Sequence, residues 1–218
     1  MSHILALSGS LRSLSSNTAV LRVASLVAPP GVDVELHPGL DALPFFNPDL
    51  DRTLDDPALP AAVRSLRRSL GAADALIISS PEYAHGVSGL MKNALDWLVG
   101  GAEMVGKPVG IINTSPHATH ALDALRETLR TMTANVVDEA CIAIAVPRNC
   151  DDAELAADTD IADPLRDALA RLVSEASHQE PIPPAPRVPT TQLLPRSALP
   201  AGCDGRASEL LAHSVHRT

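Results

Sequence analysis

The chain has 218 residues, 45% of them hydrophobic and 20% charged, a globular balance with room for one domain plus extensions. Only Phe45, Phe46, Tyr83 and Trp97 are aromatic. That scarcity excludes a nucleic-acid binder that stacks bases on aromatic platforms. The net charge of −9 likewise excludes a general phosphate-backbone binder.

Charge divides the chain into three parts. Residues 1–150 carry 15 acidic and 11 basic side chains, residues 151–180 carry 9 and 2, and residues 181–218 carry 2 and 4. Of the 19 prolines, 7 fall in residues 181–200. The expectation is a domain over residues 1–178, closed by an acidic helical segment, and a Pro-rich, unstructured tail over residues 179–218. The 3 cysteines, Cys141, Cys150 and Cys203, are odd in number and lack CxxC spacing, so reduced thiols and a cytoplasmic location are expected. The apolar run Ile4–Leu7 is too short for a signal peptide, and nothing approaches the length of a membrane span.

In chain order, short apolar runs alternate with helical patterns. His3–Ser8 is a buried run ended by Gly9. Asn17 to Ala28 places Val20, Leu21, Ala24 and Val27 at helical spacing. Val32–Leu36 alternates like a strand. Pro60–Leu70 gathers Ala61, Val63, Leu66 and Leu70 on one helical face. Ala75–Ser79 is a second apolar run, Ser88–Val99 a helix, and Pro108–Asn113 a third apolar run. His120–Thr131 reads as helix, Val136–Val146 as strand and Glu154–Ala176 as helix. Apolar runs that do not alternate imply strands covered on both faces. The predicted fold is therefore α/β: a flavodoxin-like, doubly wound, five-stranded parallel sheet of order 2-1-3-4-5 with helices on both faces.

Ligands of such sheets bind outside the carboxyl ends of the strands, which selects the loops. The loop after the first strand, Ser8-Gly9-Ser10-Leu11-Arg12-Ser13-Leu14-Ser15-Ser16-Asn17, offers hydroxyls, a guanidinium and the amides of a helix start. This combination suits a phosphate, although Ser15 or Ser16 also fits as a plain helix cap. It is neither GxGxxG nor a P-loop. The loop after the third strand runs Pro81-Glu82-Tyr83-Ala84-His85-Gly86-Val87-Ser88-Gly89 into a helix on which Asn93 and Trp97 share a face, as do Lys92 and Asp96. For Trp97, packing in a core or interface competes with ligand contact. His85, His117 and His120 fall at the same edge, but no metal-ligand spacing or supporting carboxylate accompanies them, so no metal site is expected. They read better as polar groups at a pocket mouth.

These two loops resemble those of the NADPH-dependent FMN reductase family, whose GSxRxxSxN and PEYxxGxxGxxKNxxDW segments stand here as Gly9–Asn17 and Pro81–Trp97. The stretch Leu43-Pro44-Phe45-Phe46-Asn47-Pro48-Asp49-Leu50 is also similar to the family's, and the resemblance covers roughly residues 3–146. It implies an FMN-dependent oxidoreductase that takes electrons from NAD(P)H and passes them to a small-molecule acceptor. Ser10, Arg12, Ser15 and Asn17, with Ser16 and Thr18 adjacent, would hold the FMN phosphate. Pro81, Glu82, Tyr83 and Ala84, chiefly through backbone, would line the isoalloxazine, with Ser115 at a further flavin-contacting position. The chemistry would be centred on the flavin, so no catalytic side-chain constellation is needed. The family implies a homodimer or homotetramer. A flavodoxin-like electron carrier or sensor is the alternative, since the loop Thr114–Ala121 carries neither the Gly nor the Arg usual in relatives, and Ala84 replaces their common Asn.

Overall fold

A computed structural model describes residues 1–147 and 150–178. The expected tail over 179–218, with Cys203, lies outside the described residues. Strands β1 (Ser2–Ser8), β2 (Val32–Leu36), β3 (Ala75–Ser79) and β6 (Pro108–Asn113) lie parallel in the order β2-β1-β3-β6, and β7 (Asn135–Val136) continues the sheet beyond β6. This is the 2-1-3-4-5 order of flavodoxin-like sheets, with crossover helices α1 (Ser16–Leu26), α2 (Ala61–Ala72), α3 (Gly89–Leu98) and α4 (His120–Thr131).

The strand residues face two cores. Leu5, Leu7, Leu76, Ile78, Val109 and Ile111 pack towards α2, α3 and α4. Ile4, Ala6, Ala75, Ile77 and Ile112 pack towards α1 and the C-terminal helix. Side chains of a strand alternate between faces, so continuous apolar runs are what a sheet covered on both sides requires.

Three expected elements change in detail. The fifth strand is not continuous over Val136–Val146. It is two short pieces, β7 beside Pro108–Val109 and β8 (Ile142–Ala143) beside Ile112–Asn113, separated by a 3-10 turn at Asp138–Ala140. Gly110 of β6 explains the break, because a Cβ there would stand 2.8 Å from the Ala140 carbonyl oxygen. The chain rides over that glycine instead of pairing with it. The helix expected over Glu154–Ala176 is two helices, α5 (Asp152–Ala157) and α6 (Thr159–His178). Asp151 starts α5 in a reciprocal capping box with Glu154 (2.8 and 3.1 Å), and Asp158 accepts the Asp160 amide at 3.0 Å to start α6. That restart leaves Pro164, which lacks an amide N–H, close to the beginning of α6. Finally, the loop after β3 contains a hairpin, β4 (Glu82–Tyr83) and β5 (Gly86–Val87).

Candidate functional site

The loop after β1 is pinned before it reaches α1. Gly9 donates to the Ser79 carbonyl at 2.8 Å, and its own carbonyl accepts from Ser88 Oγ at 2.8 Å. A Cβ on Gly9 would meet Ser80 Oγ at 2.3 Å, so this glycine is needed for close approach to β3. Ser15 is the N-cap of α1, accepting the Thr18 amide at 3.3 Å. Thr18 Oγ1 lies 2.8 Å from Ser8 Oγ. Asn17 is 8% exposed, and its Oδ1 accepts from the Ser79 hydroxyl at 2.9 Å and the Thr114 hydroxyl at 3.3 Å. The Ser15 side chain thus caps α1, while those of Asn17 and Thr18 brace the ends of β1, β3 and β6. The half-buried Ser10 and Ser16, the exposed Arg12 and the first α1 amides remain at the surface of the loop. Among the described residues no ion pair engages Arg12.

The second loop folds as the β4–β5 hairpin with Ala84 and His85 in its two-residue turn. Both have positive φ, 49° and 60°, a conformation that favours Asn and Gly. Tyr83 is 61% exposed at the hairpin's edge. Glu82 turns towards α4, where its Oε2 accepts the Ala121 amide at 2.8 Å. The His85 and His120 rings stack with centroids 4.3 Å apart and planes 20° from parallel, tying the hairpin to the same helix start. His117, the third histidine expected here, is exposed and outside that stack. Ser115 is exposed on the loop after β6, where its amide donates to Asn113 Oδ1 at 2.9 Å. Among the described residues, no group of three or more His, Cys, Asp or Glu is placed to hold a metal ion.

The rest of the second motif clamps the stretch Leu43–Leu50. Asn93 Oδ1 accepts the Phe46 amide at 2.8 Å, while Asn93 Nδ2 and Trp97 Nε1 donate to the Pro44 carbonyl at 3.0 and 2.8 Å. Trp97 is fully buried and meets the Phe46 ring edge-on, centroids 5.1 Å apart. Trp97 therefore packs in the core. The sequence placed Asn93 and Trp97 on one face, but the stretch they hold, from an earlier crossover, has no signal in local spacing. His37, at the end of β2, was missed altogether. It is 8% exposed, neither ring nitrogen has a hydrogen-bond partner among the described residues, and burial holds its pKa below the ordinary value. Burial pushes the pKa of the Cys141 thiol up.

The residues of the first loop fit a flavin mononucleotide phosphate. The α1 start presents amides and a positive dipole end, and Arg12 adds an exposed cation. The hairpin and the loop after β6 stand beside it at the carboxyl edge of the sheet, where a planar ring attached to that phosphate would reach.

A family model described as NADPH-dependent FMN reductase matches residues 2–147. The NAD(P)H-dependent FMN reductase of Pseudomonas aeruginosa is 34% identical over 156 residues, which span 69% of this chain and 82% of that protein. The quinone reductase of Escherichia coli K12 is 35% identical over 115 residues, 52% of this chain and 59% of that protein. Among solved structures, FerB, a flavoenzyme NAD(P)H:(acceptor) oxidoreductase from Paracoccus denitrificans, superposes with a TM-score of 0.61 at 26% identity, covering 81% of this chain and 98% of that one.

Proposed function

The chain belongs to the NADPH-dependent FMN reductase family, and from that premise we propose that it is an FMN-dependent oxidoreductase, passing electrons from NAD(P)H to flavin and on to a small-molecule acceptor. The acceptor is free flavin, a quinone, an azo compound or a metal oxyanion. The observation that carries this proposal is the α1 start, with Arg12 beside it, adjoining the β4–β5 hairpin at one sheet edge.

FMN, when bound, supplies the two-electron chemistry; the protein supplies binding, orientation and electrostatics. Arg12, the Ser10 and Ser16 hydroxyls and the first α1 amides would hold the phosphate. Ser15, Asn17 and Thr18 keep that cradle in shape through the bonds described above. Pro81, Glu82, Tyr83, Ala84 and Ser115 would line the ring. Ala84 and His85 carry the turn, so their amides lie outside the hairpin ladder and can donate to negative charge developing nearby.

No helix among the described residues is long and apolar enough to cross a membrane, and we place the protein in the cytoplasm on its unpaired Cys141 and Cys150. Assembly into a homodimer or homotetramer is proposed from the membership of the FMN reductase family. We assign residues 1–178 to the flavin-binding domain and residues 179–218 to a tail. The test is steady-state oxidation of NADPH and NADH with FMN or a quinone as acceptor. Turnover well above a flavin-only control is expected. Turnover no faster than that control would instead identify a flavodoxin-like electron carrier.

A further inference from the structure

The turn of the β4–β5 hairpin is strained. Ala84 and His85 both have positive φ, 49° and 60°, a region disfavoured for residues that carry a Cβ. Such a turn persists only when the surrounding structure holds it. Val87 packs against the core on the inner side of the hairpin. It also lines, with Leu122 and Leu125, a cavity of about 20 Å³, room for one water. Two polar contacts with the start of α4 complete the hold. Glu82 Oε2 accepts the Ala121 amide at 2.8 Å, and the His85 ring lies on the His120 ring with centroids 4.3 Å apart.

The ring contact depends on charge. Stacked neutral imidazoles attract, and a single added proton still leaves a cation on an aromatic face. Protons on both rings put like charges 4.3 Å apart, where they repel. His120 is the first residue of α4, so the positive end of that helix opposes a cation there as well. The other titratable groups of the hairpin and the α4 start are Glu82, Tyr83, His117 and Asp123. Glu82 spends its charge on the Ala121 amide, Asp123 is exposed to screening by solvent, and a protonated His117 adds a further positive charge.

We propose that the β4–β5 hairpin is a pH-operated latch: the uncharged His85–His120 stack holds it on α4, and protonation of both rings frees it. Imidazoles gain protons over about pH 8 to about pH 5, above the range in which carboxylates do, so acidification reaches the stack first. The strained turn then has less to hold it, and the segment Pro81–Ala84 loses its fixed position at the sheet edge. Acidification thereby loosens a bound flavin. That consequence for flavin rests on the proposed reductase function; the latch itself does not.

Purified full-length protein is followed by NMR from about pH 8 to about pH 5.5. The buried Ala121 amide, whose acceptor belongs to the hairpin, reports the latch through its hydrogen-exchange protection, corrected for the intrinsic pH dependence of exchange. The expected result is a loss of that protection by roughly tenfold or more on acidification, the scale of two like charges in contact. His120→Phe keeps a stacked ring without a second charge and should hold the protection nearly constant over the same range. His120→Ala, which has no ring, should lack it already at about pH 8. FMN affinity, measured by fluorescence on the same three proteins, should follow the same pattern. Protection that stays constant in the wild type, or falls equally in the wild type and His120→Phe, overturns the latch. Constant FMN affinity beside falling protection overturns the consequence for flavin. A protein that binds no FMN contradicts the proposed function, and the Ala121 amide still decides the latch.

Discussion

Arg12 and Asn17 occupy one loop but act in different ways. Arg12 is exposed on the phosphate-cradle loop, whereas Asn17 is buried and joins the ends of two strands, β3 and β6. Arg12→Ala should weaken FMN binding at least tenfold, the loss of a charge-assisted hydrogen bond of roughly 1.5–3 kcal/mol, with little change in stability. Asn17→Ala should lower stability by about 1–3 kcal/mol, because it removes the acceptor of the Thr114 hydroxyl and leaves the Ser79 hydroxyl only the Ile112 carbonyl, at 2.9 Å. Fluorescence titration with FMN and urea denaturation separate the two effects. Ala84 lies in the left-handed region at φ 49°. Ala84→Asn or Ala84→Gly should therefore raise the urea midpoint by an amount equivalent to about 1 kcal/mol. His37 contributes a pH dependence of known sign. Its folded pKa lies below its ordinary 6.5, so the unfolded chain takes up a proton that the native state refuses. Stability is full above that value and falls as pH drops below it. Urea midpoints measured from about pH 7.5 to about pH 5.5 should fall less for His37→Gln than for the wild type.

At the scale of elements, the β4–β5 hairpin and α4 form one unit. Glu82 accepts an amide at the α4 start and His85 stacks on His120, so the hairpin's position follows the helix. Glu82→Ala should cost about 0.5–2 kcal/mol, the usual effect of removing a helix cap, and should lower flavin affinity in the same titration. Strands β2, β3 and β6 and helix α4 were legible in sequence to the residue, because apolar runs and 3.6-residue spacing are local signals. The break in the fifth strand was not, since it depends on Gly110 meeting Ala140 from another element. The hairpin was hidden because Ala84 and His85 lack the Asn-Gly chemistry that marks such turns. At the site, the residue types of the first loop pointed to a phosphate, but local sequence could not show that Asn17 and Thr18 also brace the ends of strands. Nor could it show that His37 is buried with both ring nitrogens unpartnered among the described residues.

At the scale of the whole molecule, a sheet filled by Val, Ile, Leu and Ala carries its loops at one carboxyl edge, and the scarce aromatics serve separate ends. Trp97 and Phe46 lock a crossover, while Tyr83 and Phe45 stand exposed. Light scattering after size exclusion should show a homodimer or homotetramer, and Phe45→Ser should shift it towards monomer if that ring is covered by a second copy. The central claim, that this chain holds FMN and reduces it with a nicotinamide nucleotide, is tested most directly by one measurement: the visible spectrum of the purified protein, followed through an anaerobic titration with NADPH. The expected result is a flavin absorption band that bleaches as NADPH is added and returns when a quinone is admitted. A colourless protein that takes up no added FMN, or a flavin band that neither NADPH nor NADH bleaches, would contradict it.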